Sequence, residues 1–262
     1  MNEIGSKRAG RRSAPELAGR TKSSIAIERL RAEIINGHLK PNEKLRIQAL
    51  AERYQLGPSP LREALSRLVT DGLVEAEDQR GFRVCPVSRE DLVDLTRTRV
   101  GIECMALTAS IAQGDVAWES DILAALHRLS RCPPLPSPNV GSPADSKWVA
   151  CHLAFHRALI AGCRSDWLLY FCGLLYEQSE RYRILAEYSV ARKSRNVPQE
   201  HEEIMRAVIG RDVDSACELI KQHFWATTNI ILDDEKLFAP MDHRTQNAEI
   251  PPGAANAPAP RC

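Results

Sequence analysis

Two histidines four residues apart, in the stretch HLAFH at 152–156, raise the first chemical question. Four residues is about one helical turn, so His152 and His156 share a face and can offer two imidazoles to one metal ion. His201 lies early in PQEHEEIMRAV and His223 in CELIKQHFWATTNI. The short connection IGRD makes those two segments antiparallel neighbours, so their imidazoles can enter one cavity. The other histidines belong to the surface: His38 follows a helix-ending glycine, His127 lies in a polar helix and His243 falls in the C-terminal tail. A metallohydrolase of the His-Glu-x-x-His type needs a general base beside the metal-bound water. Here Leu153, Ala154 and Phe155 separate the pair, although Glu103 and Glu200 leave enzyme chemistry open. Taken singly, each histidine also fits a hydrogen-bonded core position, so a purely structural bundle stays in play.

The elements that position these residues follow from the pattern of the chain. With 262 residues there is length for one large domain or two smaller ones. A net charge of +1 excludes a polycation, so nucleic-acid binding must come from a local patch. No apolar run approaches a membrane span, and the basic start MNEIGSKRAGRRSAPELAGRTK lacks the apolar core of a secretory signal, so the expected location is the cytoplasm. The cysteines at 85, 104, 132, 151, 163, 172, 217 and 262 form no Cys-x-x-Cys pair and read as reduced thiols. Residues 1–22 and 239–262 read as disordered tails, the first basic and the second rich in Pro and Ala. CPPLPSPNVGSP at 132–143 carries five prolines and reads as a loop within a domain.

Between the tails lie two blocks. In 23–88, SSIAIERLRAEIINGHL is an amphipathic helix with Ile27, Leu30, Ile34 and Ile35 on one side. A short strand at Lys44-Leu45, a second helix through Leu50, Ala51 and Tyr54, and a third through Leu61, Ala64, Leu65 and Leu68 follow. Ser59 is placed as the cap of that third helix and Pro60 as its first residue. LVEAEDQRGFRVCPV then reads as a hairpin with DQRG at its tip. Three helices and a hairpin make a winged helix-turn-helix, in which a helix N-terminus reads base edges in the major groove. The residues expected on DNA are Gln48, Ser59, Pro60, Arg62 and Ser66 on the helices, with Arg80 and Gly81 on the wing. Arg67 is expected to pair with Glu63 one turn back. Residues 89–238 are almost wholly helical in pattern, opening at Ser88, a good N-cap, and predicting segments near 118–131, 146–162, 165–187, 198–209 and 212–234. The first long helix places Leu92, Leu95, Ile102, Met105 and Ile111 on an inner stripe, with Arg99 and Glu103 one turn apart beside it. The fold class is therefore mainly α: an N-terminal winged helix-turn-helix, then an all-α antiparallel bundle.

The stretch GHLKPNEKLRIQALAERYQLGPSPLREALSRLVTDGLVEAEDQRGFRV resembles the DNA-binding domain of GntR-family regulators, with SPLREAL, DGLV and QRGF in register. It departs where the family often has Ser-Arg or Thr-Arg in the turn; here stand Gly57 and Pro58, so no operator sequence can be carried over. Asn42 replaces the glycine common in the first loop and tolerates the same turn. The second block resembles the FCD domain, the effector domain of the FadR subfamily. The resemblance rests on R-x-x-x-E (Arg99, Glu103), a D-x-x-F-H-like segment, E-H-x-x-[IL] (Glu200, His201) and the late His223, and covers about 89–235. It implies a divalent metal held by an acid and three histidines, with a small carboxylate or dicarboxylate completing the coordination. His152 stands where the acid usually does, which implies a set of His152, His156, His201 and His223, suited to Zn or Ni. His152 can serve either the metal or the effector. Arg99 is the candidate for gripping the effector carboxylate, with Glu103 beside it; the alternative for Arg99 is a structural salt bridge to Glu103. The resemblance also implies a homodimer on a palindromic double-stranded operator, acting as a metabolite-responsive repressor and not as an enzyme or a membrane protein.

Overall fold

In the computed structural model the described residues are 21–77, 80–132, 143–187, 195–233 and 238. Most of the expected terminal tails and nearly all of the proline-rich loop lie outside them.

The N-terminal unit runs α1 (Lys22–Ile35), β1 (Lys44–Leu45), α2 (Ile47–Tyr54), α3 (Pro58–Thr70), β2 (Val74–Glu77) and β3 (Gly81–Val84). Thr21 caps α1, its hydroxyl accepting from the Ser24 amide at 3.1 Å. The strands form one antiparallel sheet in the order β1-β3-β2, with Lys44 opposite Arg83 and Val74 opposite Val84. Asn42 at φ 66° and Gln55 at φ 55° make left-handed turns before β1 and after α2. The core is aliphatic: Leu30, Leu61, Leu65, Leu68 and Leu73 are fully buried. Helix α3 begins earlier than its sequence indicates. Gly57 is the cap and Pro58 the first residue, so Ser59 and Pro60 lie inside the first turn. Both prolines fit there because the first amides of a helix have no intrahelical partner to lose.

The C-terminal unit is a helical bundle: α4 (Arg89–Gln113), α5 (Val116–Ser130), α6 (Pro143–Ile160), a 3-10 turn (Ala161–Cys163), α7 (Asp166–Glu187), α8 (Val197–Ile209) and α9 (Val213–Leu232). Ser88 caps α4, accepting from the Asp91 amide at 3.0 Å, with Glu90 and Asp91 in the first turn where acids complement the helix dipole. Ile122, Phe155, Leu159, Ile204 and Ile220 fill the centre. One residue of the expected α4 stripe falls outside: Met105 is 58% exposed. The inner stripe runs through Leu92, Thr96, Glu103, Leu107 and Ile111, and Met105 sits about 200° around the helix from Glu103.

Helix α7 joins the two units. Arg31 of α1 pairs with Glu177 and, at 2.5 Å, with Asp71 at the end of α3. Gln178 donates to the Asp71 carbonyl at 2.6 Å. Arg181, buried, donates to the Cys85 carbonyl at 2.5 Å. Tyr182 donates to Asp91, and its hydroxyl oxygen accepts from the Ser88 amide at 3.4 Å. Four residues within fewer than two turns of this helix thus carry polar contacts to the N-terminal unit and the start of the bundle.

Candidate metal centre and nucleic-acid interface

Helix α6 supplies His152 and His156, α8 supplies His201 and α9 supplies His223, and all four are buried. One ring nitrogen from each lies within 4.8 Å of the others. Phe155, between the first two, points into the core as the hydrophobic pattern requires, which turns the histidine face toward α8 and α9.

The outward nitrogens have partners that fix the rings. The His223 Nδ1 donates to Glu200 Oε2 at 2.7 Å, leaving its Nε2 unprotonated toward the cluster. Glu200 is held in turn by Arg195 at 2.5 and 2.6 Å, and Arg195 donates to the His223 carbonyl and to Thr227, both at 2.7 Å. The His152 Nδ1 lies 3.3 Å from the Tyr176 hydroxyl, and Trp148 stacks on its ring at 4.6 Å. Such outer partners orient ligating imidazoles in metal sites. Inside the cluster the His152 and His156 Nε2 atoms are 3.2 Å apart. The His201 Nε2 and His156 Nδ1 are buried without a hydrogen-bond partner among the described residues.

Burial holds all four rings in the neutral form. It pushes His201 down to about 4, with Glu200 opposing, and pushes His152, His156 and His223 well below the ordinary range. The neighbouring imidazoles and arginines push the latter three the same way. Buried ring nitrogens without a partner, as on His156 and His201, are costly unless something satisfies them. The donor set fits a borderline divalent ion such as Zn or Ni and suits Mg or Ca poorly.

Two cavities flank the cluster. The narrower, about 60 Å3, is lined by Arg99, Trp148, His152, Arg183, Arg195 and His223. Arg183 pairs with Glu180 and Arg195 with Glu200, both at 2.5 Å. Arg99 forms no ion pair among the described residues; its guanidinium lies 3.8 Å over Phe224 and its Nε is buried without a partner. The roomier cavity, about 420 Å3, is lined by Glu103, His156, Arg157, Tyr170 and Tyr176. Arg99 and Glu103, expected together, therefore face different cavities and make no salt bridge. Glu103 is buried at 3% exposure, and burial raises its pKa against the pull of Arg99 and a hydrogen bond with Cys172.

On the N-terminal unit, Gln48, Ser59, Arg62 and Ser66 are exposed and Pro60 is half-buried. Arg62 makes no ion pair among the described residues. On the wing Arg80 is exposed, and Gly81 holds φ +99°, a conformation that side chains resist. Arg67 approaches Asp71 at 3.7 Å and not Glu63, which accepts from the Ser23 hydroxyl at 2.5 Å.

Residues 22–84 match the model of the bacterial regulatory proteins of the gntR family, and residues 94–226 match the FCD domain. The chain belongs to the gntR family and carries an FCD domain. It is 37% identical over 206 residues to the uncharacterized HTH-type transcriptional regulator BphR of Paraburkholderia xenovorans, covering 78% of this chain and 82% of that one. It is also 37% identical over 205 residues to the HTH-type transcriptional repressor GlaR of Escherichia coli, covering 77% and 92%. The solved structure of E. coli McbR/YncC has the same fold, with a TM-score of 0.67 at 17% identity over 82% of this chain and 99% of that one. This gntR-family chain is accordingly a DNA-binding transcriptional regulator, and its relatives are regulators, not enzymes. No helix among the described residues is long and apolar enough to cross a membrane.

Several residues of the site carry no sequence signal. Arg195 precedes α8 in a segment without periodicity, yet it organises Glu200, His223 and Thr227. Tyr176 and Arg183 lie on α7, which has no histidine to draw attention to it.

Proposed function

We propose that this regulator is a metabolite-responsive repressor whose bundle binds a divalent metal and a small carboxylate. In this reading His152, His156, His201 and His223 hold the ion, Zn or Ni. The observation that carries it is a cluster of four buried neutral imidazoles beside Arg99, a half-buried residue whose Nε is buried without a hydrogen-bond partner and which makes no ion pair among the described residues. A bound ion would satisfy the ring nitrogens and draw an oxygen anion toward them. Arg99 receives that anion as a charge-assisted hydrogen-bond donor. The charge balance favours this direction: Glu180 and Glu200 pair with Arg183 and Arg195, while Arg99 makes no ion pair among the described residues and its nearby acid, Glu103, is pushed by burial toward the neutral form. A dicarboxylate can engage both poles of the narrower cavity. Glu103, in the other cavity, tunes the cluster from behind rather than gripping the effector.

The unit at 23–88 reads the operator and the unit at 89–238 senses and dimerises, placing two α3 helices on a palindrome. Gln48, Ser59, Pro60, Arg62 and Ser66 face the major groove, while Arg80 and Gly81 follow the backbone beside it. The repressor assignment draws on the resemblance to GlaR. Helix α7 is the route between the sites: Ser179, Tyr182 and Arg183 line the narrower cavity, while Glu177, Gln178 and Arg181 grip the DNA-binding unit. An effector acts only through its preference for one arrangement of that helix.

The test is metal analysis of the purified protein followed by a thermal-shift screen of mono- and dicarboxylates with and without Zn. Stoichiometric metal and carboxylate shifts that vanish in Arg99→Met are the expected outcome. Shifts that are identical in Arg99→Met, or no metal uptake at any pH near neutrality, overturn the reading.

A further inference from the structure

Two half-buried thiols, Cys104 on α4 and Cys217 on α9, line neither cavity and play no part in the histidine cluster. Cys104 donates toward the Cys217 carbonyl at 3.8 Å, and Cys217 donates toward the Cys104 carbonyl at 3.9 Å. Side chains that each reach the other's backbone bring the two thiols alongside one another, close enough for each to sense the other's charge. The Thr108 hydroxyl lies 3.9 Å from the Cys217 sulfur and closes the end of the pair. Both residues keep partial exposure, so a small oxidant can reach them. Cys163 and Cys172 are 2% and 3% exposed and are shielded by comparison.

We propose that Cys104 and Cys217 are a disulfide-forming site that clamps α4 to α9 when the protein meets a peroxide. One thiol attacks the peroxide, its sulfur gaining a hydroxyl while one water leaves. The second thiol attacks that sulfenic sulfur, the sulfur–sulfur bond forms and the hydroxyl departs as a second water with the remaining thiol proton. The two sulfurs lose two electrons and the peroxide accepts both, so no further reductant or oxidant is needed. Burial and the adjacent thiol push Cys104 up to about 12, so thiolate is scarce near neutrality and the reaction is slow. The pair answers sustained oxidant and ignores a trace. The clamp would join the helix carrying Thr96 and Arg99 to the helix carrying His223 and Thr228, which are opposite walls of the narrower cavity. Its formation requires neither metal nor effector.

The experiment is a non-reducing tryptic map of the full-length protein after treatment with hydrogen peroxide. Tryptic peptides 100–128 and 212–221 each contain one cysteine, so the bond gives a linked pair two hydrogens lighter than their sum. That pair should be the main intramolecular disulfide, disappear with dithiothreitol, and be missing from both Cys104→Ser and Cys217→Ser. The bond closes a sequence separation of 113 residues, so the oxidised wild type should also melt higher than the reduced form. A rise that survives in Cys217→Ser would overturn the clamp. A map dominated by a Cys132–Cys151 link, or one without the 100–128 and 212–221 pair after other thiols have oxidised, overturns the site itself.

Discussion

Replacing Arg181 by methionine keeps the reach of the side chain and removes its donors. Arg181 is 7% exposed and its guanidinium donates to the Cys85 carbonyl at 2.5 Å and to the Pro86 carbonyl at 3.4 Å, where the winged helix ends. A hydrogen bond from a charged donor contributes about 1.5–3 kcal/mol, and a buried carbonyl left without a partner costs a similar amount. Desolvation works the other way. It lowers the Arg181 pKa, the mark of a cation held out of water, and methionine is spared that cost. The shorter of the two bonds dominates, so the net loss should be about 2 kcal/mol. Urea unfolding of wild type and Arg181→Met, at matched protein and metal concentrations, measures it through the midpoint at constant slope. The same variant should retain its affinity for operator DNA while losing most of the change that a bound carboxylate produces, read by fluorescence anisotropy. An unchanged urea midpoint together with an undiminished effector response would refute the claim that α7 grips the DNA-binding unit through this residue.

Arg62→Ala should weaken operator binding by about 1–3 kcal/mol at fixed salt while dimerisation, read by sedimentation, stays intact; unchanged affinity removes Arg62 from the interface. His201→Ala should lower metal content below that of wild type without altering the melting of the N-terminal unit; full occupancy by elemental analysis takes His201 out of the site. Glu103→Gln tests the buried carboxyl through pH. Its folded pKa is raised above the ordinary 4.5, so the folded state holds the proton longer and wild-type stability falls as pH rises from there through the folded pKa. The variant should lack that fall in urea titrations, and parallel pH profiles would show that Glu103 is not desolvated.

Much of this arrangement is legible from periodicity and capping. Ser88 followed by two acids announces α4, and the Leu61, Leu65, Leu68 stripe orients α3 so that Arg62 must face outward. The short α8–α9 connection makes His201 and His223 neighbours and one helical turn pairs His152 with His156, while the grouping of the two pairs comes from the resemblance to the FCD domain. What stayed hidden depends on rotation and on neighbours. Met105 falls at apolar spacing from Ile102, but the packing of α4 against α7 and α9 selects a stripe through Glu103 and Leu107, which leaves Met105 outside. Arg99 and Glu103 are one turn apart, yet Phe224 draws the guanidinium to one side and Cys172 engages the carboxyl on the other. Arg67 approaches Asp71, and Glu63 instead accepts from Ser23 of α1. Partners from distant parts of the chain decide such contests, and local spacing does not record them.

Helix α3 is used at both ends, and the ends do different work. Ser59 and Arg62 stand at its start, while Asp71, just past its finish, is fastened to α1 and α7 by Arg31 and Gln178. Its 13 residues separate these tasks by roughly 20 Å. Retargeting the first turn to a new promoter therefore leaves the fastening untouched, and the same chemical input can be rewired to other genes by swapping a handful of side chains.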